Sequence, residues 1–350
     1  MSLILPKDNP YLLGHSQAEK LFLDTFKNNA LHHAWLITGD KGIGKATFAY
    51  KIARFLLSLD DEQKSSAQWD VLPSSSVFKQ ISNGSHPNFL AVERDYIEAD
   101  KKKIIKAIKD GEPLDDDSLQ DLKKSAVIKV DEIREINSFL SKKSFNGGWR
   151  VVLIDSIDEL NTAGANALLK ILEEPPEKSI LLLISHQPSK LLPTITSRCA
   201  KLALDRLSPQ DVGSLLRRYA PHLTEDEIKD LVTISSGSIG KALNNAFNQG
   251  VNLYHRLQNI VYAGTNFDIT EALDLAQLAS GDEDIWRLIL DLLRQLLADM
   301  IKSGDNADAL YDVYAAVLKT DSEVVGLNMD KKQALINLFY QIATVVSHDC

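Results

Sequence analysis

The chain has 350 residues, 44% of them hydrophobic and 25% charged, an ordinary globular composition with length enough for two or three domains with cores of their own. A formal net charge of −9 argues against a surface coated in basic residues for wrapping nucleic acid; any such contact is local or belongs to a partner. Two cysteines, Cys199 and Cys350, exclude a disulfide framework or a multi-cysteine zinc site within the chain and fit a reducing cytoplasm.

The opening segment, MSLILPKDNPYLLG, has no basic stretch followed by a long apolar one. No run anywhere approaches the roughly 18 apolar residues of a membrane span, so a soluble, untargeted protein with no membrane partner is expected. From about residue 10 to 205, short apolar runs alternate with helical patterns: HAWLIT (33–38), NFLAV (88–92), RVVLID (150–155), ILLLIS (180–185) and AKLAL (200–204). Runs that are apolar without alternation suit strands buried on both faces of a parallel sheet. Phe48, Ala49, Ile52 and Leu56 mark one face of a helix after the first strand, and Ile133, Ile136, Phe139 and Leu140 mark another. The pattern predicts a doubly wound α/β domain. Residues 59–87 and 95–126 interrupt it with polar and charged text, expected as mobile insertions or short surface helices.

GDKGIGKA (39–46) follows the first strand and opens a helix, the setting in which glycine-rich backbone amides and a helix N-terminus cradle phosphate. Gly39, Gly42 and Gly44 permit close backbone approach, and Lys45 supplies a point charge for the β- and γ-phosphates. The next position in such a loop carries a hydroxyl for Mg²⁺, but here it is Ala46. Thr47 follows, about 100° further round the helix, so its hydroxyl points elsewhere. The strand VVLID ends in Asp155, which taken alone is an ordinary strand-end carboxylate and, paired with the loop, is where a P-loop ATPase holds its metal. Ser156 follows it, with no carboxylate to orient an attacking water; Asp158 and Glu159 lie beyond the expected geometry. The candidate nucleotide-contacting set is Gly39, Gly42, Gly44, Lys45, Thr47 and Asp155.

After Leu204 the strands stop. Ser208 before Pro209 signals a helix start, and Thr224 with Glu227 forms a capping box. Beyond about 250 the text is helical, and Ile285, Trp286, Ile289, Leu292, Leu293, Leu296 and Met300 form an apolar stripe. Such a stripe ordinarily packs inside its own bundle, with subunit assembly as the alternative.

Three strings, GDKGIGKAT, NALLKILEEPPEKSILLLIS (166–185) and LPTITSRC (192–199), together resemble the AAA+ clamp-loader ATPase family, from GHSQAE (14–19) to about residue 245. The resemblance implies an AAA+ P-loop domain over 10–205, a small helical lid over 206–248 and an all-α collar or oligomerisation domain over 249–350. Within the family the delta-prime branch fits best, because it keeps SRC while losing nucleotide-site residues. That implies a subunit of the bacterial DNA polymerase III holoenzyme, partnered by gamma/tau and delta subunits, helping to load a sliding clamp onto primed DNA. Arg198 would be the arginine finger at a neighbour's γ-phosphate; standing alone it reads as a surface arginine in a local ion pair. Lys170, Glu173 and Glu174, on the helix that ends at Pro175 and Pro176, read equally as a solvated face or an interface. Gly240, one before Lys241, stands where relatives carry a nucleotide-sensing arginine.

By the same resemblance ATP or ADP binding is weak or absent, and no zinc is expected because residues 59–87 contain no cysteine. A polymerase's metal-binding carboxylate pair has no counterpart, so polymerisation belongs to another subunit. Cys199 is expected to be a small packed residue without chemistry. The rival readings are an active gamma/tau-type ATPase using Lys45 and Asp155, and a small-molecule P-loop phosphotransferase, which leaves the SRC and LEEPP strings unexplained.

Overall fold

The computed structural model describes residues 4–59, 68–109, 122–142, 144, 147–303 and 307–346. Cys350 and parts of both polar insertions lie outside them. The chain divides into two compact units, residues 1–211 and 212–350; the segments expected as lid and collar fall largely in the second.

The first unit is built on a five-stranded, wholly parallel sheet. Its strands are β1 (Ala34–Thr38), β2 (Phe89–Glu93), β3 (Arg150–Asp155), β4 (Ser179–Ser185) and β5 (Ala200–Ala203), in the order β2-β3-β4-β1-β5. The three central strands are buried almost throughout, which is why their sequences do not alternate. Of the two edge strands, β5 alternates, with Leu202 turned inward, whereas β2 buries Phe89 on one face of the sheet and Val92 on the other. The second strand begins and ends one residue later than its apolar run suggests, and this places Glu93 in register beside Asp155.

Around the sheet lie α1 (Ser16–Lys27), α2 (Lys45–Leu57), α3 (Ser76–Ser82), α4 (Glu98–Lys109), α5 (Val130–Ser141), α6 (Thr162–Glu173) and α7 (Pro193–Thr196). One face of the sheet packs Phe48, Ala49, Ile52 and Leu56 of α2 with Phe22 of α1; the other packs Ile133, Ile136 and Leu140 of α5 with Leu168, Ile171 and Leu172 of α6. Both helical faces read from the sequence are therefore core faces, with Phe139 only partly covered.

The 59–87 insertion is more than surface text. Trp69 packs among Phe22, Phe48 and Phe55, tilted or edge-on, with ring centroids 5.8, 6.4 and 5.2 Å away, and Phe78 and Ile81 of α3 are buried. A single tryptophan in a polar stretch has no periodicity to announce it, yet its ring area outweighs the polar neighbours once an aromatic pocket exists.

The second unit is helical: α8 (Pro209–Tyr219, which begins just before the division), α9 (Glu225–Ser235), α10 (Ile239–Phe247), α11 (Gly250–Tyr262), α12 (Ile269–Gly281), α13 (Glu283–Ser303), α14 (Ala307–Leu327) and α15 (Lys331–Val346). The start signals are realised: Ser208 Oγ accepts the Asp211 amide at 3.1 Å, and Thr224 and Glu227 make a reciprocal capping box. In α13 the stripe Trp286, Ile289, Leu292, Leu293 and Leu296 is buried within this chain, and Trp286 Nε1 donates to Asp321 Oδ1 at 2.9 Å. Among the described residues no helix is long and apolar enough to cross a membrane.

Candidate functional site

The loop Gly39–Gly44 leaves the C-terminal end of β1 and turns directly into α2, whose first residue is Lys45. Gly39, Gly42 and Gly44 have φ of 141°, 81° and 109°, a conformation that side chains oppose and that curls successive amides toward one concave side. No side chain caps the N-terminus of α2, so its first amides are left for a ligand or water. Lys45 is 3% exposed, and its Nζ donates back to the carbonyls of Gly39, at 2.7 Å, and Asp40. Burial pulls its pKa down to about 8 against the raising influence of Asp155, Asp40 and Asp158. Arg206 pairs with the Asp40 carboxylate at the rim of the loop. The arrangement can hold a phosphate: a cradle of amides with one buried cation at its centre.

Asp155 ends β3, in register with Ile184 of β4 and Glu93 of β2. Burial first, then the charges of Glu93 and Glu159, push its pKa up to about 6, with Lys45 and Lys124 opposing. Ser156 is 1% exposed, and its Oγ is buried without a hydrogen-bond partner among the described residues. The acids that follow are committed elsewhere. Asp158 accepts from Ser185 Oγ at 2.8 Å and from the His186 amide at 2.5 Å, while Glu159 pairs with Arg94 at 3.0 Å. Ala46 brings no oxygen, and Thr47, next on the helix, is buried. This donor set does not fit the usual magnesium site of a P-loop, which takes a hydroxyl and an aspartate. Among the described residues no group of three or more His, Cys, Asp or Glu side chains could hold a metal ion.

Arg198 lies just after α7, away from the loop's own contacts. Its guanidinium donates to the Thr194 carbonyl and to Glu173 Oε1, each at 2.9 Å. Glu173 is the last residue of α6, so the LEEPP and SRC strings meet in space although 25 residues separate the pair. Lys170 and Glu174 are exposed nearby in sequence. Cys199 donates to the Ile195 carbonyl, and burial pushes its thiol up to about 11, leaving it protonated and unreactive. Gly240 is in the first turn of α10, which Ser238 caps by accepting the Lys241 amide at 3.2 Å.

Sequence reasoning missed four side chains at or beside the loop. His15 touches the Ile43 carbonyl, Glu93 faces Asp155, Arg206 pairs with Asp40, and His186 has its Nδ1 buried without a partner among the described residues. Only His15 had a signal, as part of GHSQAE.

Residues 14–208 match the family model described as DNA polymerase III, delta subunit. Among curated proteins the chain is 34% identical to the DNA polymerase III subunit delta' of Pseudomonas aeruginosa over 208 residues, covering 59% of this chain and 53% of the relative. It is 28% identical to the DNA polymerase III subunit gamma of Buchnera aphidicola over 245 residues, covering 68% of this chain and 57% of the relative. The chain thus spans little more than half the length of these relatives. Among solved structures it is similar to a DNA polymerase III gamma subunit-related protein from Thermotoga maritima, at 16% identity and a TM-score of 0.45, covering 93% of this chain and 98% of the other.

Proposed function

The chain belongs to the AAA+ clamp-loader family through its match to the DNA polymerase III, delta subunit model, and we propose that it is a delta-prime-type subunit that serves the ATPase of its neighbours rather than hydrolysing ATP itself. One observation carries this reading: the glycines and lysine of a phosphate loop are all present, yet Ala46 stands where a metal-binding hydroxyl belongs and a buried Ser156 where a water-orienting carboxylate belongs. Gly39, Gly42, Gly44 and Lys45 hold the phosphates of ADP or ATP weakly, with Asp155 and Thr47 beside them and no metal-assisted step. The purified chain is expected to release no phosphate from ATP above background. Measurable turnover that disappears in Lys45→Ala would sink the proposal in favour of an active gamma/tau-type ATPase, which the gamma relative and the retained Lys45 and Asp155 favour.

Binding by this cradle carries its own pH signature. Phosphate stabilises the charged Lys45, whose pKa in the free chain is about 8, so affinity is fully present below that value. It is expected to fall as pH rises past 8, by up to about tenfold per unit until the raised pKa of the complex is passed. Calorimetric titration of ADP between pH 7 and 9.5 reads this out; a flat profile would remove Lys45 from the phosphate.

In the assembly, the partners are gamma/tau and delta subunits and a sliding clamp, with primed DNA met through the complex, in the cytoplasm. Arg198 crosses to a neighbour's γ-phosphate and neutralises charge developing there. Its exchange of an exposed Glu173 partner for that phosphate loses little, because exposed ion pairs are weak.

A further inference from the structure

We propose that His15 is a positioning residue for the phosphate loop, holding the Ile43–Gly44 peptide plane so that the Gly44 amide is aimed at a bound phosphate. The inference rests on reading the loop as a nucleotide site. His15 precedes α1 and is 5% exposed, with its Nε2 2.8 Å from the Ile43 carbonyl oxygen. Gly14 brings it there: with φ of 81°, it presses so close to Leu207 that a Cβ would lie 2.5 Å from Leu207 Cδ2. A carbonyl oxygen can only accept, so the ring must carry a proton on Nε2. Burial holds the pKa of His15 below the ordinary value, against the opposing pull of the Ile43 hydrogen bond and of Glu19, Asp205 and Asp211. The working form is the neutral ring with its one proton on Nε2.

A trans peptide keeps its C=O and N–H on opposite sides of one rigid plane. With the Ile43 carbonyl drawn toward His15, the Gly44 N–H points away from the histidine. Ile43 itself is fully buried, which fixes one side of the peptide, but Gly44 at φ of 109° has no Cβ to restrain the other. The histidine therefore supplies the restraint that glycine lacks, while the glycine supplies the space. A Cβ at Gly44 would lie 3.4 Å from Leu12 Cδ1 and 3.5 Å from His15 Nε2.

The test compares His15→Ala, His15→Asn and His15→Gln in the full chain, titrated with ADP. Glutamine can put an amide N–H where Nε2 sits, and asparagine cannot reach it. Alanine and asparagine are expected to weaken ADP by about 3- to 10-fold, the scale of one neutral hydrogen bond, with glutamine within about twofold of the natural chain. Equal affinity in all four proteins, or an equal loss in all three variants, overturns the proposal. Amide hydrogen exchange over residues 42–46 of the nucleotide-free chain provides an independent reading. Exchange there should be faster in His15→Ala and restored in His15→Gln, and unchanged exchange overturns the proposal. If the natural chain does not bind ADP, the nucleotide reading fails on that result, and the exchange measurement alone decides the role of His15.

Discussion

Arg198→Ala is expected to lower ATP turnover at the site it serves by about a thousandfold in a reconstituted loader, the lower end of what an arginine finger contributes, and to lower clamp loading with it. The same substitution should leave the isolated chain and its assembly almost untouched. Arg198 is 36% exposed and its partner Glu173 51%, and an ion pair this open to water contributes under about 1 kcal/mol. Lysine should not rescue, because a planar fork that bridges phosphate oxygens differs from a point charge. Single-turnover hydrolysis by the assembled complex, beside thermal unfolding of the free chain, separates the two effects. Normal turnover in the variant complex would remove the finger; a large loss of stability in the free chain would make Arg198 structural instead.

Gly39→Ala is expected to cost more than Gly44→Ala, whose added Cβ would meet nothing nearer than 3.4 Å. At Gly39, with φ of 141°, a Cβ would sit 2.4 Å from the Leu204 carbonyl oxygen and 2.7 Å from Ile43 Cδ1. Leu204 cannot move aside freely, since its amide donates to the Thr38 carbonyl at 2.8 Å and its side chain belongs to the core. Backbone strain and overpacking together should destabilise the fold by about 2 to 4 kcal/mol. Gly84→Ala is the internal control. Its φ of 66° is also left-handed, but nothing lies within 4 Å of the added methyl, so the expected cost is about 1 kcal/mol. Urea midpoints at constant slope would measure both; equal midpoint shifts would mean that Gly39 is there for its conformation alone, not for the approach to Leu204.

That position 46 brings no hydroxyl and position 156 no carboxylate is legible in the amino-acid sequence. Ala46 and Ser156 are read by position within contiguous strings, and the chemistry they lack, a hydroxyl and a carboxylate, is absent wherever the chain places them. The central strands are equally plain, because burial on both faces demands continuous apolar text in Trp35–Ile37, Val151–Ile154 and Ile180–Ile184. The caps at Ser208 and Thr224 are legible for a related reason: a cap satisfies amides two or three residues away, and short spacing is written directly in sequence.

What the sequence alone could not decide is who meets whom across the sheet. His15 reaches Ile43 over 28 residues, Ser185 reaches Asp158 over 27 and Arg198 reaches Glu173 over 25. The strand order β2-β3-β4-β1-β5 buries Asp155 and sets Glu93 beside it, and together these raise the pKa of that aspartate, a result no spacing along the chain implies. Periodicity and caps act through neighbouring residues, so they survive in one dimension. Burial, charge and the aim of a peptide plane depend on elements brought together from far apart, and they exist only once the sheet is assembled.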